Sequence, residues 1–236
     1  MNTKFTLFSA ALLGAASAFA AEPADVTATY LKNTQFNGPE YTWNAEASGT
    51  INEVAGTVSD WTVSELPGYY AFGTAQYGTS VDIKGNGLIP AAGYEDSEGG
   101  CLVFASAWAG SIYATQDVEL PAGKYTLRAL TYNCNKGSGT KGTSMLAWLP
   151  AEGDAVESSM AYQLREWQID EITFTITEST QGKIRLGLSV PNEGSGSTAK
   201  PCIDYVQLMR EDLGSAAILP DLKAAIAEGK TILASN

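Results

Sequence analysis

Strict alternation of apolar and polar residues is the feature that most limits what this chain can fold into. From 171 to 177, Ile172, Phe174 and Ile176 fall on one side of an extended segment, and Thr173, Thr175 and Thr177 on the other. That period of two belongs to a strand with one face in a core and one in water. Residues 183–190 repeat it, with Ile184, Leu186, Leu188 and Val190 inward and Lys183, Arg185 and Ser189 outward. Gln181-Gly182 between the two runs reads as a turn, so a hairpin is expected. From 111 to 120, Ile112, Ala114, Gln116, Val118 and Leu120 share a face. Pro121-Ala122-Gly123 then supplies proline at the second and glycine at the fourth position of a turn, with 124–133 as the returning strand.

Further strands are expected at 26–31, 69–74, 80–84, 101–107, 144–149 and 202–209. Between them, 85–100, 135–142 and 191–200 are loops rich in Gly, Ser, Asn and Asp. Many short alternating strands separated by such loops predict an all-β, antiparallel sandwich. The character changes at 219–233, where Leu219, Leu222, Ile226 and Leu233 follow helical spacing behind Pro220. A short C-terminal helix after a linker is expected over 212–236. With no second helix in the sequence to cover its apolar stripe, a longer native chain with further domains is expected beyond Asn236.

The first twenty residues read as a secretory leader. Lys4 gives a positive start, an apolar stretch runs to Phe19, and Ala18-Phe19-Ala20 forms the small-residue cleavage pattern. The mature chain is then expected to begin at Ala21, secreted, periplasmic or on a cell surface. The apolar stretch is too short to span a bilayer, and no later segment is a membrane-span candidate. The first cysteine is Cys101, so no lipid-anchoring cysteine follows the leader. A net charge of −12, from 14 basic and 26 acidic residues, sets the chain against nucleic acid as a partner. Three cysteines, Cys101, Cys134 and Cys202, allow at most one internal disulfide, so stability must come from apolar burial.

Four segments carry a family resemblance: Tyr30-Leu31-Lys32-Asn33-Thr34-Gln35-Phe36, Asp60-Trp61-Thr62-Val63, Gln116-Asp117-Val118-Glu119-Leu120-Pro121-Ala122-Gly123-Lys124-Tyr125 and Ile203-Asp204-Tyr205-Val206-Gln207-Leu208. In these the chain resembles the galactose-binding-like jelly-roll carbohydrate-binding and accessory domains of bacterial secreted glycan-degrading and surface proteins. The resemblance implies a jelly-roll domain over 21–211 and a glycan partner. It also implies a structural calcium, with Asp204 among its ligands. These motifs belong to the sandwich framework, so fold carries over better than function.

The chain has no histidine, which removes Ser-His-Asp and Cys-His catalysis and histidine metal sites. A carboxylate pair could still serve a glycosidase, but no Asp or Glu stands in a distinctive motif, and Glu95-Asp96-Ser97-Glu98 reads as solvated loop charge. Alternation through Asp204, Val206 and Leu208 places the Asp204 carboxylate on the core side, where it needs either hydrogen-bond donors or the calcium. Gln116, on an apolar stripe, must be hydrogen-bonded internally. Sugar recognition calls for an accessible ring to stack on a pyranose face, flanked by groups that bond hydroxyls. Trp108, Tyr70, Tyr77 and Tyr94 are the candidate rings, and Asn133 and Asn135 the candidate amides; Trp61 and Trp167 read as core. The expected function is a non-catalytic glycan-binding module. The alternatives are a structural or adhesive spacer and, behind it, a carboxylate-dependent glycoside hydrolase.

Overall fold

A computed structural model of the chain describes residues 23–37, 54–55, 58–64, 70–78, 87–106, 110–191 and 198–211. In chain order these hold β1 (Ala24–Asp25), α1 (Thr27–Tyr30), β2 (Val54–Ala55), β3 (Thr62–Val63), β4 (Tyr70–Gln76), β5 (Gly100–Ser106), β6 (Gly110–Leu120), β7 (Gly123–Asn133), β8 (Thr143–Ser144), β9 (Ala147–Pro150), β10 (Val156–Glu157), β11 (Trp167–Ile176), β12 (Thr180–Val190) and β13 (Pro201–Glu211). The expected strand at 80–84, the leader, the C-terminal helix and Trp108 lie outside the described residues.

Among the described residues the strands form two sheets. The seven-stranded sheet runs β11-β7-β13-β5-β4-β2 with β1 beside β13, and the six-stranded sheet runs β10-β9-β12-β6-β3 with β8 beside β12. Pairing is antiparallel apart from the short β2–β4 contact. The fold is an antiparallel jelly-roll β-sandwich.

The alternation read from the sequence is what fills the space between the sheets. Ile112, Ala114 and Leu120 of β6, Tyr125 and Leu127 of β7, Ile172, Phe174 and Ile176 of β11 and Ile184, Leu186 and Leu188 of β12 are all buried in one cluster. The two expected hairpins, however, are not hairpins. β11 pairs with β7 in one sheet, and β12 with β6 in the other. The Pro121-Ala122 corner and the 177–179 turn therefore each carry the chain across from one sheet to the other. The two crossings lie side by side, because Thr180 pairs with Leu120 and Ile176 with Gly123. Tyr125 fastens the first corner by donating its hydroxyl to the Pro121 carbonyl at 2.8 Å.

Gln181-Gly182 is not a turn either. Both residues lie inside β12, and Gly182 is there for space. A side chain at that position would meet the Trp148 ring and the Leu149 carbonyl. The vacated room lets the Trp148 indole lie flat on Phe174, with centroids 5.2 Å apart, and Tyr125 stacks on Phe174 at 5.5 Å.

The expected strand at 26–31 is instead a single helical turn. Asp25 Oδ1 accepts from the Thr27 amide at 2.9 Å, and the Thr27 hydroxyl accepts from the Leu208 amide at 2.8 Å. These side-chain bonds take the place of a ladder and curl the backbone. The following segment crosses one edge of the sandwich with Leu31 and Phe36 buried. Gln116 holds it as expected: Oε1 accepts from the Lys32 amide at 2.8 Å, and Nε2 donates to the carbonyls of Lys32 and Asp60 at 3.0 and 3.1 Å. Trp61 is core, its indole N–H donating to the Asn33 carbonyl at 3.0 Å.

Candidate binding face

The seven-stranded sheet has a second apolar layer on the face turned away from the sandwich core. Ala75, Tyr77, Ile89, Cys101, Val103, Ala105, Cys134 and Cys202 cluster there, with Tyr132 and Trp167 packed against them. The segment 87–99, between β4 and β5, lies over this layer, so β5 is buried on both faces. All three cysteines sit beneath it as free, buried thiols. Burial pushes the Cys101 and Cys202 thiols up, away from the reactive thiolate.

Asp204 anchors this covering segment. β13 carries a bulge between Ile203 and Val206, where one extra residue opposes β7. The extra residue shifts the parity: Ile203 and Val206 face the core, while Asp204 joins Cys202 on the outer face. The core-facing placement expected from uninterrupted alternation is thus corrected by the bulge. The carboxylate accepts from the Tyr77 hydroxyl at 2.6 Å, the Tyr94 amide at 3.0 Å and the Ser97 hydroxyl at 3.1 Å. Calcium takes oxygen acceptors, whereas Asp204 meets two donating hydroxyls and an N–H, so the groups around it do not fit that ion. Among the described residues no three Cys, Asp or Glu side chains are grouped to hold a metal.

Beyond the edge of segment 87–99 the outer face of β11 is exposed from Ile169 to Thr175, while that of β7 and β13 is half-buried, with Leu130 buried. Cross-strand register sets its pairs: Trp167 beside Tyr132, Ile169 beside Leu130, Glu171 beside Arg128, Thr173 beside Thr126 and Thr175 beside Lys124. Trp167 is half-buried and braced on three sides. Tyr132 lies 5.2 Å away, Tyr94 6.2 Å and Tyr77 6.4 Å, the last two edge-on. Ile169, next along β11, is 55% exposed. Arg128 holds Glu171 through Nε at 2.5 Å, and both side chains stay open to solvent. Tyr205, which alternation with Val206 and Leu208 already turns to this face, stands near Tyr94, Glu95 and Arg128. Burial, then the Asp204 and Glu95 carboxylates, push its phenol up, with Arg128 opposing. The face therefore offers a row of fixed, half-exposed rings ending in a paired guanidinium and carboxylate. Such a row can stack on an apolar surface and bond hydroxyls beside it.

The residues singled out from the sequence divide between this face and the interior. Tyr94 stands on the face, in a helical turn at Tyr94–Asp96. Tyr77 is buried beneath it, its phenol pushed far up by burial and then by the neighbouring Cys101 and Cys202. Asn133 and Asn135 are fully buried and serve the loop itself. Asn133 donates to the Gly139 carbonyl at 2.9 Å and accepts from the amides of Asn135 and Lys200 at 3.2 and 3.0 Å. Asn135 donates to the Thr198 carbonyl at 2.7 Å and accepts from the Gly137 amide at 2.7 Å. Their amides stand in for backbone partners that an irregular loop lacks, and both are buried away from the surface. Only the backbone of Tyr70, at the start of β4, is described. Trp167, expected in the core, lies on the outer face. It has the parity of Glu171, Thr173 and Thr175, so extending the 171–177 alternation back along β11 would have found it.

No protein-family model and no curated protein matches the sequence. Solved structures do match. The Stig cyclase Fisc from Fischerella sp. TAU aligns with a TM-score of 0.54 at 15% identity, over 77% of this chain and 96% of that one. TmCBM61 in complex with β-1,4-galactotriose aligns at 0.49 and 20% identity, over 77% of this chain and 98% of that one. The xylan-binding domain CBM22-1 of Xyn10C from Paenibacillus barcinonensis aligns at 0.43 and 10% identity, over 70% and 93%. At such identities the likeness is one of fold.

Proposed function

We propose that this chain is an exported, non-catalytic glycan-binding module that seats its sugar on the outer face of the seven-stranded sheet. The observation that carries the reading is the half-exposed Trp167 indole, held in orientation by Tyr77, Tyr94 and Tyr132 and followed along the face by Ile169 and the Arg128–Glu171 pair. A pyranose presents C–H bonds on one face and hydroxyls at its rim. The rings supply a stacking surface for the first, and the guanidinium and carboxylate bond the second. Export rests on the leader sequence, and N-terminal sequencing of the secreted chain, expected to begin at Ala21, checks it.

The test is binding of residues 21–236 to a polysaccharide panel that includes β-1,4-galactan and xylan, with Trp167→Ala and Trp108→Ala variants alongside. Loss in the Trp167 variant alone supports the sheet face. Loss in the Trp108 variant alone moves the site to Trp108. A blank across the panel replaces glycan binding with the spacer reading, and release of reducing sugar would make the protein an enzyme.

A further inference from the structure

Segment 87–99 is shaped around one carboxylate. Besides the three bonds to Asp204, the Gly93 amide donates to the Ser97 carbonyl at 2.9 Å and the Ser97 amide to the Tyr94 carbonyl at 3.1 Å, closing a tight loop over it. Gly93 permits the approach, since a Cβ there would fall 2.7 Å from Asp204 Oδ1 and 2.8 Å from the Tyr77 ring. Glu95 and Asp96 are left-handed, at φ 52° and 61°, a backbone shape that aspartate tolerates and that is uncommon for glutamate. The product of this arrangement is the position of Tyr94, whose amide is held by Asp204 Oδ2 and whose ring stands edge-on to Trp167. Asp204 itself is 5% exposed and lies beneath the loop, out of reach of anything stacked on the face.

We infer that Asp204 is a positioning residue for the binding face: its carboxylate latches segment 87–99 so that Tyr94 stands against Trp167 as the wall of the sugar platform. The inference rests on the proposed glycan-binding reading for its functional consequence, but the latch itself does not. It also gives the acid of the last strand a role that needs no cation. Asparagine at 204 retains one carbonyl oxygen, which cannot serve the Tyr77 hydroxyl on one side and the Tyr94 amide on the other.

Two readouts test this on residues 21–236, each in calcium and in chelator. In the first, hydrogen exchange, Asp204→Asn speeds exchange of the Tyr94 amide by about tenfold or more, since the pair of acceptor oxygens that serves both Tyr94 and Tyr77 is lost. The β7 and β11 amides keep their protection, and Ser97→Ala, which removes one donor without disturbing the strand, gives a smaller change in the same direction. In the second, glycan affinity falls in Asp204→Asn, and Asp204→Asn combined with Tyr94→Ala falls no further than Tyr94→Ala alone, because both act through one ring. Unchanged protection at Tyr94, additive losses, or affinity restored by calcium would each overturn the latch. If the wild type binds no glycan, the platform reading fails while the exchange result still decides whether Asp204 holds the loop.

Discussion

Replacing Asp170 with asparagine should stabilise this protein at neutral pH and do nothing in acid. Asp170 lies on β11 with the parity of Ile172, Phe174 and Ile176, and is 2% exposed between the sheets. Its Oδ1 accepts from the Ser158 hydroxyl at 2.5 Å, while Oδ2 is buried and makes no well-formed hydrogen bond, with the Ser144 hydroxyl and the Glu171 amide only near the carboxylate. Burial pushes the carboxyl up, with Ser144 and Ser158 opposing. Below the unfolded-state value of about 3.9 the group is protonated in both states and no stability is lost. Above it the unfolded chain sheds a proton that the folded chain retains, so native stability falls with rising pH until the folded-state value is passed. A buried unsatisfied group gives a central figure of about 1–3 kcal/mol. Asparagine keeps the acceptor for Ser158 and replaces the orphan oxygen with an amide beside the Ser144 hydroxyl. Thermal unfolding of both proteins across the acid-to-neutral range reads the difference. The variant should melt about 2–10 °C higher at pH 7 and level with wild type near pH 3.5. A variant that melts lower at pH 7, or a difference independent of pH, would refute the reasoning.

Gln116→Ala removes three hydrogen bonds that join β6 to the backbone at Lys32 and Asp60. Denaturant unfolding should show a loss of about 2–4 kcal/mol, with buried backbone groups left unpaired. The three thiols beneath segment 87–99 should be inert to an aromatic disulfide reagent in the native protein and all react after denaturation; rapid native labelling of Cys101, Cys134 or Cys202 would contradict their burial.

The sequence disclosed the strands because a sandwich core demands a period of two, which β6, β7, β11 and β12 carry over ten or eleven residues each and β13 carries only beyond its bulge. It did not disclose their partners. A turn such as Pro121-Ala122-Gly123 has the same composition whether it folds a strand back within its sheet or carries it to the other. Gly182 was misread for a related reason: a glycine that makes room for the Trp148 ring looks like one that makes a turn. The candidate site was partly concealed by the bulge in β13, a one-residue slip that turns Asp204 outward beside Tyr205 and that no hydropathy pattern records. Asn133 and Asn135 adjoin a Gly- and Ser-rich stretch that resembles solvated loop, although both are buried and their amides hold it together. Trp167 was legible and missed, since its parity with Thr173 and Thr175 marks the outer face.

The central claim is that a ring held on the sheet's outer face carries glycan binding. Its most direct test is calorimetric titration of the wild type and Trp167→Ala with the glycan that the panel selects, with circular dichroism confirming that both are folded. Removing a stacked indole should weaken binding about ten- to hundredfold while the fold and the melting profile persist. Equal affinity in the two proteins would contradict the claim.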